Sequence, residues 1–178
     1  LKSGMTYYQC TGEKYLKEIP DYKKLLETPE VLERKINKLI KKRYNFYGYQ
    51  QFANLIQKMK KEIETKFSGN IQKKIFKDKI RSHFSNTVFI IDEVHNIKES
   101  NDLKVLPPIL EEVFSLTKNM KLLLLSATPM FDTSKEIIYL MNLLLINDKK
   151  AKMNVNEYFD SNSNIFDEKI PDFLNKTK

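Results

Sequence analysis

The sequence predicts an α/β fold in which a parallel sheet carries helices on both faces, preceded by a basic, helical N-terminal half. Two short apolar runs, 88–91 and 122–125, are continuous enough to form strands buried on both faces. Helical patterns lie between these runs and after the second, and this order implies parallel strands with a right-handed crossover. The chain has 178 residues, of which 41% are hydrophobic, so it is long enough for one domain with a core.

Three helices and one short strand are predicted for the N-terminal half. Apolar residues recur there at helical spacing, and the breaker 68–70 separates the last two helices. Thr28 can cap the first helix, and Pro29 suits its first turn. The aromatic stretch 44–49 favours a strand or a strand end. The helices are predicted over 28–43, 50–67 and, as a short one, 71–80.

Two helices and an irregular end are predicted for the C-terminal half. A helix over 105–117 carries two prolines where a first turn tolerates them. Thr133 and Glu136 match a capping box, which would open a helix that ends near 147–148. After Lys149 the chain becomes polar, and an irregular tail or linker is expected.

Charge is unevenly distributed along the chain. Residues 1–87 hold 20 Lys+Arg and 9 Asp+Glu, a net charge of +11, whereas residues 88–178 hold 11 and 14, a net charge of −3. A basic half attracts polyanions such as nucleic acids. Lys, Asn and Ile are all abundant, as an AT-rich genome would make them, so compositional drift explains the same excess. Both interpretations stay open.

The sequence argues against membrane-spanning and secreted classes. No apolar run is long enough to cross a bilayer, and the first residues lack the apolar stretch of a signal peptide. Cys10 is the only cysteine, which excludes an internal disulfide and fits a reducing, intracellular compartment. Because the first residue is Leu1 rather than Met, we expect a fragment of a longer chain.

Two adjacent carboxylates follow the first predicted strand, in the sequence Asp92-Glu93-Val94-His95. Ligands of parallel sheets bind beyond the carboxyl ends of the strands, so chemistry is expected at this position. A nucleoside triphosphate arrives with Mg²⁺, which Asp92 can hold directly or through a water. Because successive side chains point in opposite directions, Glu93 can instead face the terminal phosphate and deprotonate the attacking water. The pair therefore predicts Mg²⁺-dependent hydrolysis of ATP.

A second motif, Ser126-Ala127-Thr128, follows the second predicted strand. His95 is a switchable hydrogen-bonding group, and the hydroxyls of Ser126 and Thr128 can bond to it across neighbouring strand ends. Each motif alone is short enough to arise by chance, as a capping histidine or a strand-end hydroxyl before Pro129. Their joint placement, about thirty residues apart with a helix between them, favours the ATPase interpretation.

The stretches 88–96 and 121–132, which read VFIIDEVHN and KLLLLSATPMFD, resemble motifs II and III of superfamily 2 helicases. The segments 9–12, 47–52 and 136–150 are also similar to the helicase-like ATPases of large nucleocytoplasmic DNA viruses. That group includes the poxvirus early transcription factor ATPase and nucleoside triphosphate phosphohydrolase I. The resemblance covers most of the chain.

The resemblance implies a partial RecA-like lobe that uses ATP and Mg²⁺ and moves along DNA or RNA, with DNA favoured and the choice left open. Residues 1–150 would form the C-terminal part of the first, ATP-binding lobe, and 151–178 a linker or tail toward a missing second lobe. It also implies viral transcription proteins as partners, no membrane, and a location in the host cytoplasm or the virion.

The resemblance also assigns roles to matching residues. Asp92 would bind Mg²⁺, and Glu93 would be the catalytic base, with His95 acting beside them. The residues that would couple hydrolysis to motion, together with His95, are Ser126, Ala127 and Thr128. The residues that would approach the nucleic-acid backbone are Tyr47, Gly48, Tyr49 and Gln50. For this last segment, an aromatic strand end packed in the core is an equally good interpretation.

Two departures from the family pattern matter for activity. None of the four glycines precedes a lysine, so this sequence lacks the Gly-Lys-Ser/Thr ending of a phosphate-binding loop. It also lacks the arginine-bearing motif of a second lobe, so the isolated chain is expected to hydrolyse ATP negligibly. A nucleic-acid-binding or assembly module with a relic ATPase motif remains an alternative. Within enzymes, a double-strand translocase and a strand-separating helicase are not distinguished.

Overall fold

The computed structural model describes residues 15, 17–20, 29–99, 104–130 and 133–176. These form two compact units, the first within residues 1–47 and the second within 48–178. The predicted helix cap Thr28, the cysteine Cys10 and the segment 9–12 lie outside the described residues.

The first unit is built around one amphipathic helix, α1, which spans Pro29–Arg43. Ile36 of this helix is buried against Tyr15 and Ile19, and further apolar residues of the helix flank this contact. Arg43 donates two hydrogen bonds to the carboxylate of Glu18, at 2.7 and 2.8 Å. The helix therefore matches the predicted range closely.

The strand predicted over 44–49 is not formed. Residues 44–48 are exposed and have no regular secondary structure, and Tyr49 instead begins the next helix. Aromatic residues favour strands only where a neighbouring strand supplies hydrogen bonds and packing. No described strand pairs with this stretch, so its β propensity is not realised.

The second unit begins with two long helices, α2 over Tyr49–Glu64 and α3 over Gly69–Phe84. The side chain of Gln51 accepts a hydrogen bond from the backbone N–H of Gly48 at 3.1 Å and so helps to begin α2. The helix predicted over 71–80 is thus longer than expected. Its extension follows from three residues at four-residue spacing that lie on its buried face: Phe76, Ile80 and Phe84.

The sheet consists of β1, Val88–Ile91, and β2, Lys121–Leu124, which pair in parallel as predicted. Its second strand lies one residue earlier than expected, although Leu125 still donates to the carbonyl of Ile91 at 2.8 Å. The expectation of burial on both faces is wrong for the described residues. Phe89 and Ile91 point into the core, but Val88 and Ile90 are exposed on the other face.

The connection between the strands contains α4, Asn96–Glu99, and α5, Leu106–Leu116. Pro107 and Pro108 occupy the first turn of α5, as predicted. After β2 comes α6, Glu136–Asn147. The predicted capping box is wrong, because no side chain caps α6; Glu136 N–H donates instead to the backbone carbonyl of Thr133 at 3.2 Å.

The main core lies where α2, α3, α5 and α6 cover one face of the sheet. Phe89 of β1 is partly buried against this core, with edge-on ring contacts to Phe52 at 5.4 Å and Phe114 at 5.3 Å. Such contacts between aromatic rings add to the stabilisation from burial alone. The core therefore fixes β1, and with it the chain that leaves its end.

Residues after 149 are not irregular, which contradicts the expectation of an unstructured tail. They form α7, Val155–Tyr158, a short 3-10 turn, Asp167–Lys169, and α8, Ile170–Lys176. Tyr158 is buried together with Met153 and Phe159 against α6. Whether this segment leads to a second lobe stays a prediction. Throughout the described part of the chain, each helix is too short or too polar to cross a membrane.

Candidate active site

The segment 92–95 follows β1 at the carboxyl end of the sheet, where a backbone hydrogen bond and contacts with the core hold it in place. The N–H of Val94 donates to the carbonyl of Leu125 at 3.0 Å, which extends the link between the two strands beyond their ends. Val94 and Ile97 are buried in the main core, with 2% and 1% of their surfaces exposed. Asp92 and Glu93 lie just before these two apolar anchors and are exposed, and His95, which lies between the anchors, is partly buried.

The acid pair lies in a tight turn within this segment. Glu93 has a φ of 50°, in the left-handed region that residues with a side chain rarely adopt. Its N–H donates to Oδ1 of Asp92 at 3.1 Å, so the Asp92 carboxylate lies over the start of the turn. Both acids are exposed. The structure thus places them where the sequence predicted, at the tip of β1.

Tyr49, the first residue of α2, reaches this turn from a distant part of the chain. Its hydroxyl contacts the backbone carbonyl oxygens of Asp92 and Glu93, the latter at 2.9 Å. Burial raises the pKa of the Tyr49 hydroxyl, and the negative charges of the two acids raise it further. The group is therefore held in its neutral, hydrogen-donating form.

His95 joins the acid turn to the second motif. Its Nδ1 lies 2.9 Å from Oγ of Ser126 and 3.4 Å from Oε2 of Glu93. The N–H of Thr128 donates to the same Ser126 oxygen at 3.1 Å. A chain of polar contacts therefore runs from the Glu93 carboxylate, through the imidazole, to the residues after β2. Ser126 takes part through its hydroxyl, and Thr128 through its backbone N–H.

The remaining predicted residues of the second unit lie outside this chain of contacts. Ala127 is exposed beside Ser126 and carries no polar side-chain group. Tyr47 is exposed in the first unit. In the second unit, Gly48 precedes α2, and Gln50 donates to the side chain of Asn54 at 2.8 Å. Among the residues of the second unit that were predicted to approach nucleic acid, Tyr49 contacts the acid turn, and the sequence predicted a different role for it.

The site suits Mg²⁺ only together with a ligand that brings oxygens of its own. The described residues include no cluster of three or more His, Cys, Asp or Glu side chains that could hold a metal ion. Mg²⁺ commonly keeps several waters and takes one or two carboxylates together with phosphate oxygens. The exposed carboxylate of Asp92 at a strand end is consistent with that pattern.

Comparisons with known proteins show the family to which the chain belongs. Residues 6–131, which include both motifs, match the model of the family described as type III restriction enzyme, res subunit. A protein of Invertebrate iridescent virus 3, named as a helicase, is 32% identical over 138 residues, 76% of this chain and 12% of its own length. No solved structure matches the chain.

Two similar proteins come from Acanthamoeba polyphaga mimivirus, and each is named as an ATP-dependent RNA helicase. One is 28% identical over 172 residues, which cover 86% of this chain and 14% of the relative. The other is 36% identical over 108 residues, which cover 61% of this chain and 15% of the relative. The chain thus spans less than a sixth of the length of the relatives it matches. It belongs to the restriction-enzyme Res-subunit family, within the superfamily 2 helicase-type ATPases that large DNA viruses encode.

Proposed function

We propose that this chain supplies the metal-binding and water-activating acids of an ATP-dependent nucleic-acid motor. One observation carries the proposal: the imidazole of His95 lies within 3.4 Å of the Glu93 carboxylate and 2.9 Å of the Ser126 hydroxyl. These two contacts connect the residues that follow β1 to the residues that follow β2. Without this contact, a change at the acid pair would have no direct route to the residues after β2.

The roles follow from position and charge. Asp92, whose carboxylate lies over the start of the turn, would hold Mg²⁺ that arrives with ATP. The metal would neutralise charge on the phosphates. Glu93 would orient and deprotonate the attacking water, because its exposed carboxylate leaves the turn on the side of His95. His95, Ser126 and Thr128 would then couple hydrolysis to motion, with Ala127 as the spacer between them.

The nucleic-acid partner is part of the same proposal. Residues 1–87 carry a net charge of +11, which favours binding to a polyanion. We place the backbone contact at Tyr47 to Gln50 and favour DNA, although two relatives are named as RNA helicases. A second RecA-like lobe and viral transcription proteins would complete the motor, in the host cytoplasm or the virion.

Glu93→Gln in the full-length protein tests the catalytic assignment. Turnover of ATP should fall by at least about 10³-fold, the scale of losing both the positioned base and its charge. Binding of a fluorescent ATP analogue should change less than about threefold, because the amide keeps the shape of the carboxylate. The matched control is Glu112→Gln, a partly exposed acid on α5 that faces Lys60 at 3.4 Å. If Glu93→Gln turns over ATP like this control, the assignment is wrong.

The alternative function is a nucleic-acid-binding or assembly module whose ATPase motif is a relic. The basic N-terminal half favours it. Titrating a fluorescent oligonucleotide with and without ATP separates the two, whereas the salt dependence does not, because phosphate contacts make it steep in either case. Affinity that responds to ATP, and loses this response in Asp92→Ala, supports the motor. Tight binding that ignores both the nucleotide and the acids supports the module.

A further inference from the structure

The hydroxyl of Tyr49 contacts the two peptide groups on either side of the Glu93 Cα atom. One acceptor is the carbonyl of Asp92, which belongs to the peptide group before Glu93. The other is the carbonyl of Glu93 itself, 2.9 Å away, which belongs to the peptide group after it. The orientations of these two peptide groups define the φ and ψ angles of Glu93. The Tyr49 side chain thus contacts the peptide groups that set both backbone angles of Glu93, the proposed catalytic base.

Glu93 needs such a restraint because its backbone is in the left-handed region, with a φ of 50°. Residues with a Cβ atom leave this region readily unless surrounding contacts hold them there. The bonds from Val94 N–H to Leu125 and from Asn96 N–H to the Glu93 carbonyl fix the chain only after Glu93. Before Glu93, Leu125 N–H holds the carbonyl of Ile91, one peptide group further back, and the side chain of Asp92 bonds the turn locally. Tyr49 ties the peptide group between Asp92 and Glu93 to another element.

Tyr49 is well placed to act as a fixed point. It is the first residue of α2, whose start is fixed by the bond between Gly48 and Gln51, and its ring packs against the main core. A tyrosine hydroxyl has one proton, so it can donate fully to one carbonyl at a time or share the proton between both. A small shift of the α2 start would therefore change which peptide group is held.

We infer that Tyr49 is a positioning residue that holds Glu93 in its left-handed turn, so that the carboxylate stays beside His95 and aimed at the reacting water. The inference rests on the proposed function for the role of Glu93, but not for the restraint of the turn itself. Tyr49 touches no reacting atom in this scheme. It acts through the backbone of Glu93.

The test is Tyr49→Phe, which removes the hydroxyl and keeps the ring packed against the core. We expect kcat of the full-length protein to fall about 10- to 100-fold with KM for ATP unchanged, because displacing a catalytic group by about an ångström costs this much. The control is Tyr44→Phe, an exposed tyrosine whose hydroxyl pairs with that of Tyr15 at 3.4 Å. It should match the unmodified protein.

A second readout is independent of ATP turnover. In Tyr49→Phe, the backbone amides of Glu93 and Val94 should exchange with solvent about tenfold faster, while amides of β1 and the melting temperature stay the same. Unchanged kcat and unchanged exchange overturn the inference, even if Glu93→Gln abolishes turnover. A general loss of stability, with exchange raised throughout β1, also overturns it, because the hydroxyl would then be structural. Faster exchange at the turn in a protein whose turnover survives Glu93→Gln would overturn the proposed function and leave the restraint in place.

Discussion

Replacing Asn142 with leucine should detach the C-terminal segment of the second unit from α6. Asn142 is buried, and its side-chain amide makes a matched pair of bonds with the backbone of Met153. Its Nδ2 donates to the Met153 carbonyl at 2.9 Å, and the Met153 N–H donates to its Oδ1 at 2.7 Å. A polar side chain on a buried helix face is thereby satisfied by the segment that follows the helix.

The size of the effect follows from the two backbone groups that leucine leaves behind. Leucine has nearly the shape of asparagine, so little cavity forms, but the N–H and the carbonyl of Met153 lose their partners. Each buried group without a partner costs about 1–3 kcal/mol, so the closed state should lose about 2–6 kcal/mol. That is a large share of the total stability of a domain, about 5–15 kcal/mol. Residues 150–176 should therefore open before the rest of the unit unfolds.

Urea unfolding followed by circular dichroism, together with limited trypsin digestion, measures both outcomes. The leucine variant should unfold at lower urea concentration and be cut after Lys150 and Lys152 at least about tenfold faster, as expected for a local opening. The control is Asn156→Ala, in the same segment, where the bond to Asn154 uses only the backbone N–H. If the leucine variant resists trypsin and urea as well as this control, the amide pair does not hold the segment.

Two further predictions concern the core and the C-terminal helix. Phe114→Ala should lower the free energy of unfolding by about 3–5 kcal/mol in urea titrations, because its ring is fully buried against Phe89; an effect below about 1 kcal/mol would contradict that packing. The hydrogen bond from Tyr158 and the charge of Lys176 lower the pKa of Asp172 below its usual value of 3.8. The Asp172 carboxylate therefore stabilises α8 fully above pH 3.8, and this contribution is lost as the pH falls through the lower pKa of the folded state. Carbon NMR shifts of the carboxyl would measure that pKa, and a pKa at or above 3.8 would contradict the prediction.

The sequence predicted those elements that a pattern within one short segment specifies. A continuous apolar run specifies the strand 88–91, and apolar residues at helical spacing specify α2 and α5. The stretch 44–49 was not predictable in this way. Its aromatic residues favour a strand, but a strand forms only with a partner, and sequence propensity carries no information about partners.

The segment after Lys149 was mispredicted for a related reason. Its composition is polar, yet Met153 and Tyr158 are buried against α6. The contact that decides its structure joins Asn142 to a residue 11 positions later through backbone atoms. A polar residue within an apolar helix was the available signal, because buried amides require partners. The sequence did not indicate which backbone would provide them.

The candidate site shows the same division between local and distant contacts. The positions of Asp92, Glu93 and His95 at a strand tip, and of Ser126 beside them, followed from the order of strands alone. The left-handed conformation of Glu93 was not predictable, since no glycine or asparagine marks it. Tyr49 was also missed as a neighbour of the turn, because 43 and 44 residues separate it from the two acids.

The contact between His95 and Ser126 gives the site a way to exist in two states. Oγ of Ser126 accepts a bond from Thr128 N–H and retains one proton of its own, which it can donate to a neutral Nδ1. When Nδ1 carries a proton, the direction of this bond must reverse, and the Glu93 carboxylate lies 3.4 Å from the same nitrogen. The position of the proton on His95 can therefore set the direction of its hydrogen bond to Ser126 without any movement of the strands.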